Sequence, residues 1–136
     1  FDIRGPNTSS KARMSRFTPE NLMDFTPGCG DGSSLRGMCL PNLSGKPVWL
    51  TVDFLATSGQ KSAAFGEFTG RSFDAGSLGV QPARAPRYII EMLEDPTGPG
   101  SKKLGEQKKV IYRITAIGFG PREETQVVLQ SVFRKE

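Results

Sequence analysis

The residue types that most often carry chemistry are sparse in this 136-residue sequence, which contains no histidine. Without histidine, the chain alone lacks the base of a Ser-His-Asp or Cys-His machine and also the commonest metal ligand. The candidate acids are Asp53, Glu67, Asp74, Glu91, Glu94, Asp95, Glu123 and Glu124. Because neighbouring strand residues point to opposite faces, adjacent acids are poor catalytic dyads, and we expect these carboxylates to be solvated charges. The sequence therefore predicts no enzymatic activity, no cofactor and no metal.

The two cysteines, Cys29 and Cys39, are separated by a short spacer rich in glycine and serine. Three interpretations are open: two buried thiols, half of a metal site, or a disulfide. A metal site would need two further soft ligands. The spacer can bend enough to bring the two Cβ atoms together, and an even cysteine count in a small, loop-rich domain is typical of an oxidising compartment. We therefore favour a Cys29–Cys39 disulfide.

The composition indicates a single globular domain with many turns. It is 36% hydrophobic and contains 16 glycines and 10 prolines, which favours turns and long connections over long helices. The net charge of +4 is mild and its basic residues are scattered, so we expect no nucleic-acid partner. The apolar runs are too short for a signal peptide or a transmembrane helix. Because the chain starts at Phe1, we expect its natural N-terminus to lie upstream.

The strongest structural signal is the stretch from Lys108 to Lys135. Apolar residues alternate through Lys109–Ile117 and again through Thr125–Phe133, on either side of a short Gly/Pro segment. This period of two predicts an antiparallel hairpin with one buried face. The predicted core positions include Leu129.

Two further strands and one helix are predicted upstream. Pro47–Leu55 and Pro86–Asp95 read as strands, the first containing Trp49 as a packing anchor. Thr18-Pro19-Glu20 predicts a helix start, followed by an apolar stripe at Leu22, Met23 and Phe25. Helical turns are also predicted at Lys11–Phe17, and an irregular polar connection is predicted at Pro96–Lys103.

A long stretch without clear periodicity, Ala56–Ala85, contains three phenylalanines. Loops of this length in a compact domain are often functional. Phe65, Phe68 and Phe73 either pin the loop to the body, which we favour, or form a candidate partner contact.

These elements predict an α+β fold: a four-stranded antiparallel meander with a short N-terminal helix and long loops. The single domain, 1–136, divides into a helix and disulfide loop (1–46) and a sheet (47–136) with the long 56–85 loop.

The C-terminal motifs resemble those of PilX-type minor pilins of type IV pili. The resemblance rests on Tyr112–Ala116, on Gly118 and Gly120, and on Val127–Arg134, preceded by a similar strand at Pro86–Glu91. It covers roughly the last 50 residues. It implies a pilin-like fold whose N-terminal anchoring helix is missing from this sequence. The sequence departs from the best-known pilin pattern because its cysteines precede the sheet instead of stapling the C-terminal region.

The resemblance implies a structural function, with the other minor pilins as partners. Such subunits form the priming and tip complex of the pilus, beneath a tip adhesin, and support biogenesis, adhesion and twitching motility. The major pilin would be an indirect partner, and the membrane would be contacted only through the missing helix. The implied location is the pilus tip, or the inner membrane with a periplasmic domain before assembly. The alternatives are a type II secretion pseudopilin and a carbohydrate- or surface-binding module with Trp49 or the loop phenylalanines as its platform.

Overall fold

The architecture is a mixed, six-stranded β-sheet with irregular segments packed on both faces. The computed structural model describes residues 16–31, 35–73, 79–95 and 109–134. Its elements are a 3-10 helix (Pro19–Asp24), β1 (Thr26–Pro27), β2 (Met38–Leu40), helix α1 (Val48–Thr51), β3 (Ala63–Ala64), β4 (Arg87–Glu94), β5 (Val110–Phe119) and β6 (Gln126–Phe133). The sheet order is β1-β2-β4-β5-β6, and β3 also pairs with β4. The predicted connection Pro96–Lys103 and most of the predicted helical turns at Lys11–Phe17 lie outside the described residues.

Strands β4, β5 and β6 form the antiparallel part of the sheet. Ile90 lies opposite Ile114, and Ala116 lies opposite Leu129. In the turn, the Gly120 N–H donates to the Thr125 carbonyl at 2.7 Å. The predicted C-terminal hairpin and the strand before it are therefore confirmed.

The other half of the sheet is not a meander. Strand β1 pairs in parallel with β2, and β2 pairs in parallel with β4. The short strand β3, inside the stretch predicted as a loop, pairs antiparallel with the start of β4. The structure thus replaces the predicted four-stranded antiparallel sheet with a mixed one, although its broad class, sheet with little helix, agrees with the sequence.

Strand β4 is buried on both faces, with the pattern of a central strand. One face, here called the aromatic face, carries Tyr88, Ile90 and Met92 in a cluster with Phe17, Phe25 and Tyr112. The opposite face, here called the disulfide face, carries Ile89 in a smaller cluster with both cysteines and Val48. Two layers of loop therefore sandwich one sheet.

The predicted strand at Pro47–Leu55 is wrong. Val48–Thr51 forms one helical turn instead, and the Thr51 hydroxyl donates to the Val48 carbonyl at 2.7 Å. Val48 is fully buried and Val52, four residues on, packs partly against the same cluster. Burial at helical spacing therefore outweighs the strand propensity of this valine-rich run. An Asx turn, in which the Leu55 N–H donates to Asp53 Oδ1 at 2.9 Å, follows it.

The predicted helix after Thr18 is present as a 3-10 helix with proline in its first turn. The Thr18 hydroxyl accepts the Asn21 side-chain amide at 2.8 Å, so it makes no side-chain cap to the backbone. The predicted apolar stripe is wrong in part. Phe25 is buried, whereas Leu22 is 50% and Met23 is 93% exposed.

The expectation of a buried face on β6 is also wrong. Leu129 is 68% exposed and Val127 is 62% exposed, although their partners on β5 are half-buried. The covering layer on the aromatic face reaches Tyr112 and Phe133 but stops short of these two side chains. Alternation correctly indicated which residues share a face, but it could not show how far the covering layer extends.

We expect the variant Leu129→Ala, in dilute protein, to lower the free energy of unfolding by less than about 1 kcal/mol, because the side chain has little area to uncover. The matched variant Ile90→Ala, at a fully buried position of the same face, should cost about 2–5 kcal/mol. Urea unfolding followed by circular dichroism measures both. Equal costs would show that Leu129 is covered.

Candidate functional site

The disulfide joins the loop after β1 to strand β2. Cys29 and Cys39 are bonded, with Cα atoms 4.0 Å apart, and both are buried. Cys29 adopts a φ of 73° directly after Gly28 at 71°, a left-handed turn that is costly for a residue other than glycine. The turn lets the Gly30 N–H donate to the Met38 carbonyl at 3.1 Å. The disulfide therefore closes a tight loop onto the parallel edge of the sheet.

A buried ion pair crosses the disulfide face beside this loop. Glu91 on β4 is fully buried, and its two oxygens accept from the Arg113 guanidinium at 2.8 and 2.9 Å. The two residues are directly paired across β4 and β5. The hydrogen bond that Arg113 donates to Glu91 raises the pKa of Arg113 above its usual value. This bidentate geometry is the strong form of the pair, and it ties the central strands in register.

A second ion pair fastens the end of β6. The Arg134 guanidinium lies 2.7 Å from the carboxylate of Asp95, which is buried at the end of β4. The expectation that the acidic residues are solvated is therefore wrong for Glu91 and Asp95. Sequence adjacency gave no sign of their partners, which lie on other strands. Asp74, in contrast, lies outside the described residues.

The three phenylalanines of the long loop have separate positions. Phe68 is only 5% exposed and belongs to the aromatic-face cluster. Phe65 is partly buried and Phe73 is 43% exposed, and their rings meet edge to face with centroids 5.7 Å apart. Phe68 thus pins the loop to the core, while the Phe65–Phe73 pair brings aromatic surface to the outside.

Polar bonds hold the loop beneath this aromatic pair. Arg36 bonds Glu67 at 2.6 Å, and Arg87 bonds both the hydroxyl and the carbonyl of Ser62. Burial lowers the pKa of Arg87. Gly66 has a φ of 82°, and a Cβ there would overlap the Arg71 carbonyl. The loop is therefore a fixed platform, and its bend at Gly66 requires glycine.

Trp49 packs against the disulfide-face cluster beside Val52 and Phe54. It is only partly exposed. Its position agrees with the predicted packing anchor.

Tyr112 lies at the centre of the aromatic face. Its ring is 5.3 Å from Phe17, 6.0 Å from Phe25 and 6.4 Å from Phe133, measured between centroids. Burial, with a smaller effect from the charge of Glu20, raises the pKa of Tyr112 to about 12. Its buried hydroxyl has no hydrogen-bond partner among the described residues. Tyr112 is therefore the packing centre of the aromatic face.

The described residues include no group of three or more His, Cys, Asp or Glu side chains placed to hold a metal ion. Within the same residues, no helix is long and apolar enough to cross a membrane. Two features of the described residues present apolar side chains at the surface. One is the loop that carries Phe65, Phe68 and Phe73, here called the aromatic loop, and the other is strand β6.

Comparison with protein families shows to which family the chain belongs. The model of the family described as "Type IV pilus assembly protein PilX C-term" matches residues 17–135, which is most of the chain. The chain belongs to the PilX family. Searches of curated proteins and of solved structures found no match. The members of the PilX family are type IV pilus assembly proteins, so the chain is related to minor pilins in general.

Sequence reasoning found the disulfide of this PilX-family chain but missed the Glu91–Arg113 pair. A signal was present: Glu91 interrupts the apolar run of β4, at a position that burial on both faces would enclose. A charge enclosed in this way needs a partner. Reading β4 as a central strand would have required an opposite charge on a neighbouring strand.

We expect the oxidised protein to show no reactive thiol after denaturation, because both cysteines are in the disulfide. Chain entropy alone predicts that the double variant Cys29→Ala/Cys39→Ala is less stable by about 2–3 kcal/mol. Thiol titration and urea unfolding measure these two properties. Two titratable thiols in the oxidised protein would contradict the pairing.

Because the pKa of Tyr112 is raised in the folded protein, its contribution to stability is fully present at pH below about 10, the ordinary tyrosine pKa. This contribution should be lost as the pH rises from about 10 through the folded-state pKa of about 12, because ionisation then favours the unfolded chain. Tyr112→Phe should remove this part of the pH dependence. At neutral pH it should change stability by less than about 1 kcal/mol, because the hydroxyl is unpaired among the described residues. Urea melts across this range measure both effects, and an unchanged pH profile would contradict the assignment.

Proposed function

We propose that the chain is a non-enzymatic minor pilin that joins other minor pilins in the priming and tip complex of a type IV pilus. The observation that carries the proposal is the match of the PilX family to residues 17–135. In this role the protein supports pilus biogenesis and, through it, adhesion and twitching motility. The partners are sibling minor pilins and a tip adhesin, with the major pilin contacted indirectly.

We further propose a pilin-like arrangement in which an anchoring helix, preceding this sequence, packs on the aromatic face of the sheet. Phe17, near the start of the described chain, contacts Tyr112, and Tyr112 contacts Phe133 on β6. The N-terminal segment thus meets the sheet at the Phe133 end of β6, on the same face as the exposed apolar residues Val127 and Leu129 farther along the strand. A helix entering from this side would find uncovered apolar surface. Before assembly, the helix would hold the domain at the inner membrane with its body in the periplasm.

The aromatic loop is the proposed contact for a sibling subunit. Phe73 is exposed, meets the Phe65 ring edge to face, and is two residues from the exposed Arg71 in the sequence. Aromatic and arginine side chains are enriched at protein interfaces. Because Phe68, Glu67 and Gly66 fix the loop from beneath, docking would require little ordering, which favours affinity. Phe68, being buried, would act by holding the contact surface in place.

The proposal predicts that the protein binds at least one sibling minor pilin in an oxidising buffer, and that Phe73→Ala weakens this binding by about tenfold or more. Stability should change little, because the ring is half exposed. Biolayer interferometry with each sibling immobilised measures the affinity, and thermal melts measure the fold.

Phe68→Ala is the contrasting variant, and it should cost about 3–5 kcal/mol of stability. Cells in which the gene for the Phe73→Ala variant replaces the normal gene should show reduced surface piliation. Absence of binding to every sibling, together with normal piliation in a deletion strain, would refute the proposed function.

A further inference from the structure

Strand β6 forms one edge of the sheet and is exposed on both faces. Four of its apolar side chains are 46–68% exposed: Val127, Val128, Leu129 and Val132. The strand, Gln126–Phe133, contains no charged residue and no proline. Monomeric proteins usually protect an edge strand with such residues, since an open edge invites pairing. Strand β6 therefore has the composition of a strand that is paired in its working state.

The hydrogen-bond pattern shows which backbone groups of β6 point away from the sheet. The bond from Gly120 N–H to the Thr125 carbonyl makes this a hydrogen-bonded pair, and such pairs alternate along an antiparallel ladder. Val127 and Leu129 therefore direct their backbone groups toward β5. The N–H and C=O groups of Val128 and Gln130 point outward. The bond from the Asp95 N–H to the Lys109 carbonyl, 3.0 Å long, shows which alternate residues of β5 bond β4. The other residues of β5 bond β6, which agrees with the assignment above.

Opposite charges flank the two ends of the strand. Glu123 and Glu124 precede it, and Arg134 follows it, with Lys135 next in the sequence. Arg134 remains 54% exposed while it bonds Asp95, and Glu123 is 53% exposed beside Arg84. In an antiparallel pair of identical strands, the acidic end of one lies beside the basic end of the other. A parallel pair would place acid beside acid.

We propose that β6 pairs antiparallel with β6 of a second copy of this chain, across a two-fold axis at Leu129. In this register the outward backbone groups meet: Val128 lies opposite Gln130 of the second copy, and Glu124 lies opposite Arg134. The two Leu129 side chains form the central non-hydrogen-bonded pair, in which side chains lie closest. The two sheets then form one continuous sheet through a self-complementary interface.

Charge and backbone direction together select this register. Outward backbone groups face outward backbone groups only when the two-fold axis passes through a residue of β6. An axis between two residues would place outward groups opposite groups that bond β5. An axis at Val128 would place Glu124 opposite Val132, and an axis at Gln130 would place Arg134 opposite Gln126. Only the axis at Leu129 pairs Glu124 with Arg134 at both ends of the strand.

This interface goes beyond the proposed function, because binding to sibling minor pilins does not require a second copy of the chain. It also uses the outer edge of β6, whereas an anchoring helix would cover one face. A strand from a different pilus component is the competing occupant of the edge. The oligomeric state of the pure protein distinguishes that partner from a second copy of the chain.

Cysteine cross-linking tests the register. Leu129→Cys should form a disulfide-linked dimer on mild oxidation, because position 129 faces itself across the axis. The matched variant Val132→Cys, 64% exposed on the same strand, should remain mostly monomeric, since its partner is Gln126 of the second copy. Non-reducing electrophoresis, with the native Cys29–Cys39 bond intact, measures the yield. Equal yields from both variants would overturn the register.

Analytical ultracentrifugation of the 136-residue chain tests the pairing itself. The protein should dimerise with rising concentration. Val128→Pro removes an outward N–H without touching the β5 ladder, and it should raise the dimer dissociation constant at least about tenfold. Glu124→Lys should weaken the dimer as well, and added salt should reduce the difference between this variant and the parent.

Circular dichroism of Val128→Pro checks the fold, and Glu124→Lys carries the test if the proline variant is unstable. A parent protein that stays monomeric at its highest attainable concentration would overturn the proposal. Monomeric protein whose sibling binding is lost in Val128→Pro would assign the edge to a different subunit, which also overturns it. Dimerisation without any sibling binding would support this interface and count against the proposed function alone.

Discussion

The structure depends on the burial of strand β4 on both of its faces. Five consecutive residues, from Tyr88 to Met92, are buried, so each face needs its own covering layer. The N-terminal segment and Phe68 cover the aromatic face, while the disulfide loop and the Val48 turn cover the other. Hydrophobic burial is the dominant favourable term in folding, and these irregular segments contribute to it by packing against one strand.

This double burial explains the Glu91–Arg113 pair. A carboxylate inside a covered sheet loses its hydration, and only a well-aligned partner compensates for that loss. Glu91 has both oxygens bonded to Arg113 on the adjacent strand. A shift of β4 by one residue would move Glu91 to the aromatic face, among Ile114 and Tyr112, with no cation opposite. The pair therefore specifies the register of the central strands as well as stabilising it.

The two edges of the sheet have opposite characters, and this contrast connects the fold with assembly. The parallel edge is closed by short strands, a disulfide and the pinned loop. The β6 edge carries exposed valines and a leucine between two residues of opposite charge, Glu124 and Arg134. A PilX-family subunit has to remain folded while it leaves one surface available for other subunits. A rigid closed edge and an open apolar edge satisfy both requirements within one sheet.

The sequence by itself determined the elements whose signals are local. Alternation located the hairpin and β4, proline after Thr18 located the short helix, and spacing and composition indicated the Cys29–Cys39 bond. Tertiary structure decided whatever depends on residues distant in the chain. It made Val48–Thr51 a helical turn, because Val48 packs into the buried cluster of the disulfide face and has no partner strand in the described part of the chain. It added the parallel strands, paired Glu91 with Arg113, buried Phe68 and left Leu129 exposed. Periodicity shows which side chains share a face, but the covering layer that buries or exposes that face comes from elsewhere in the chain.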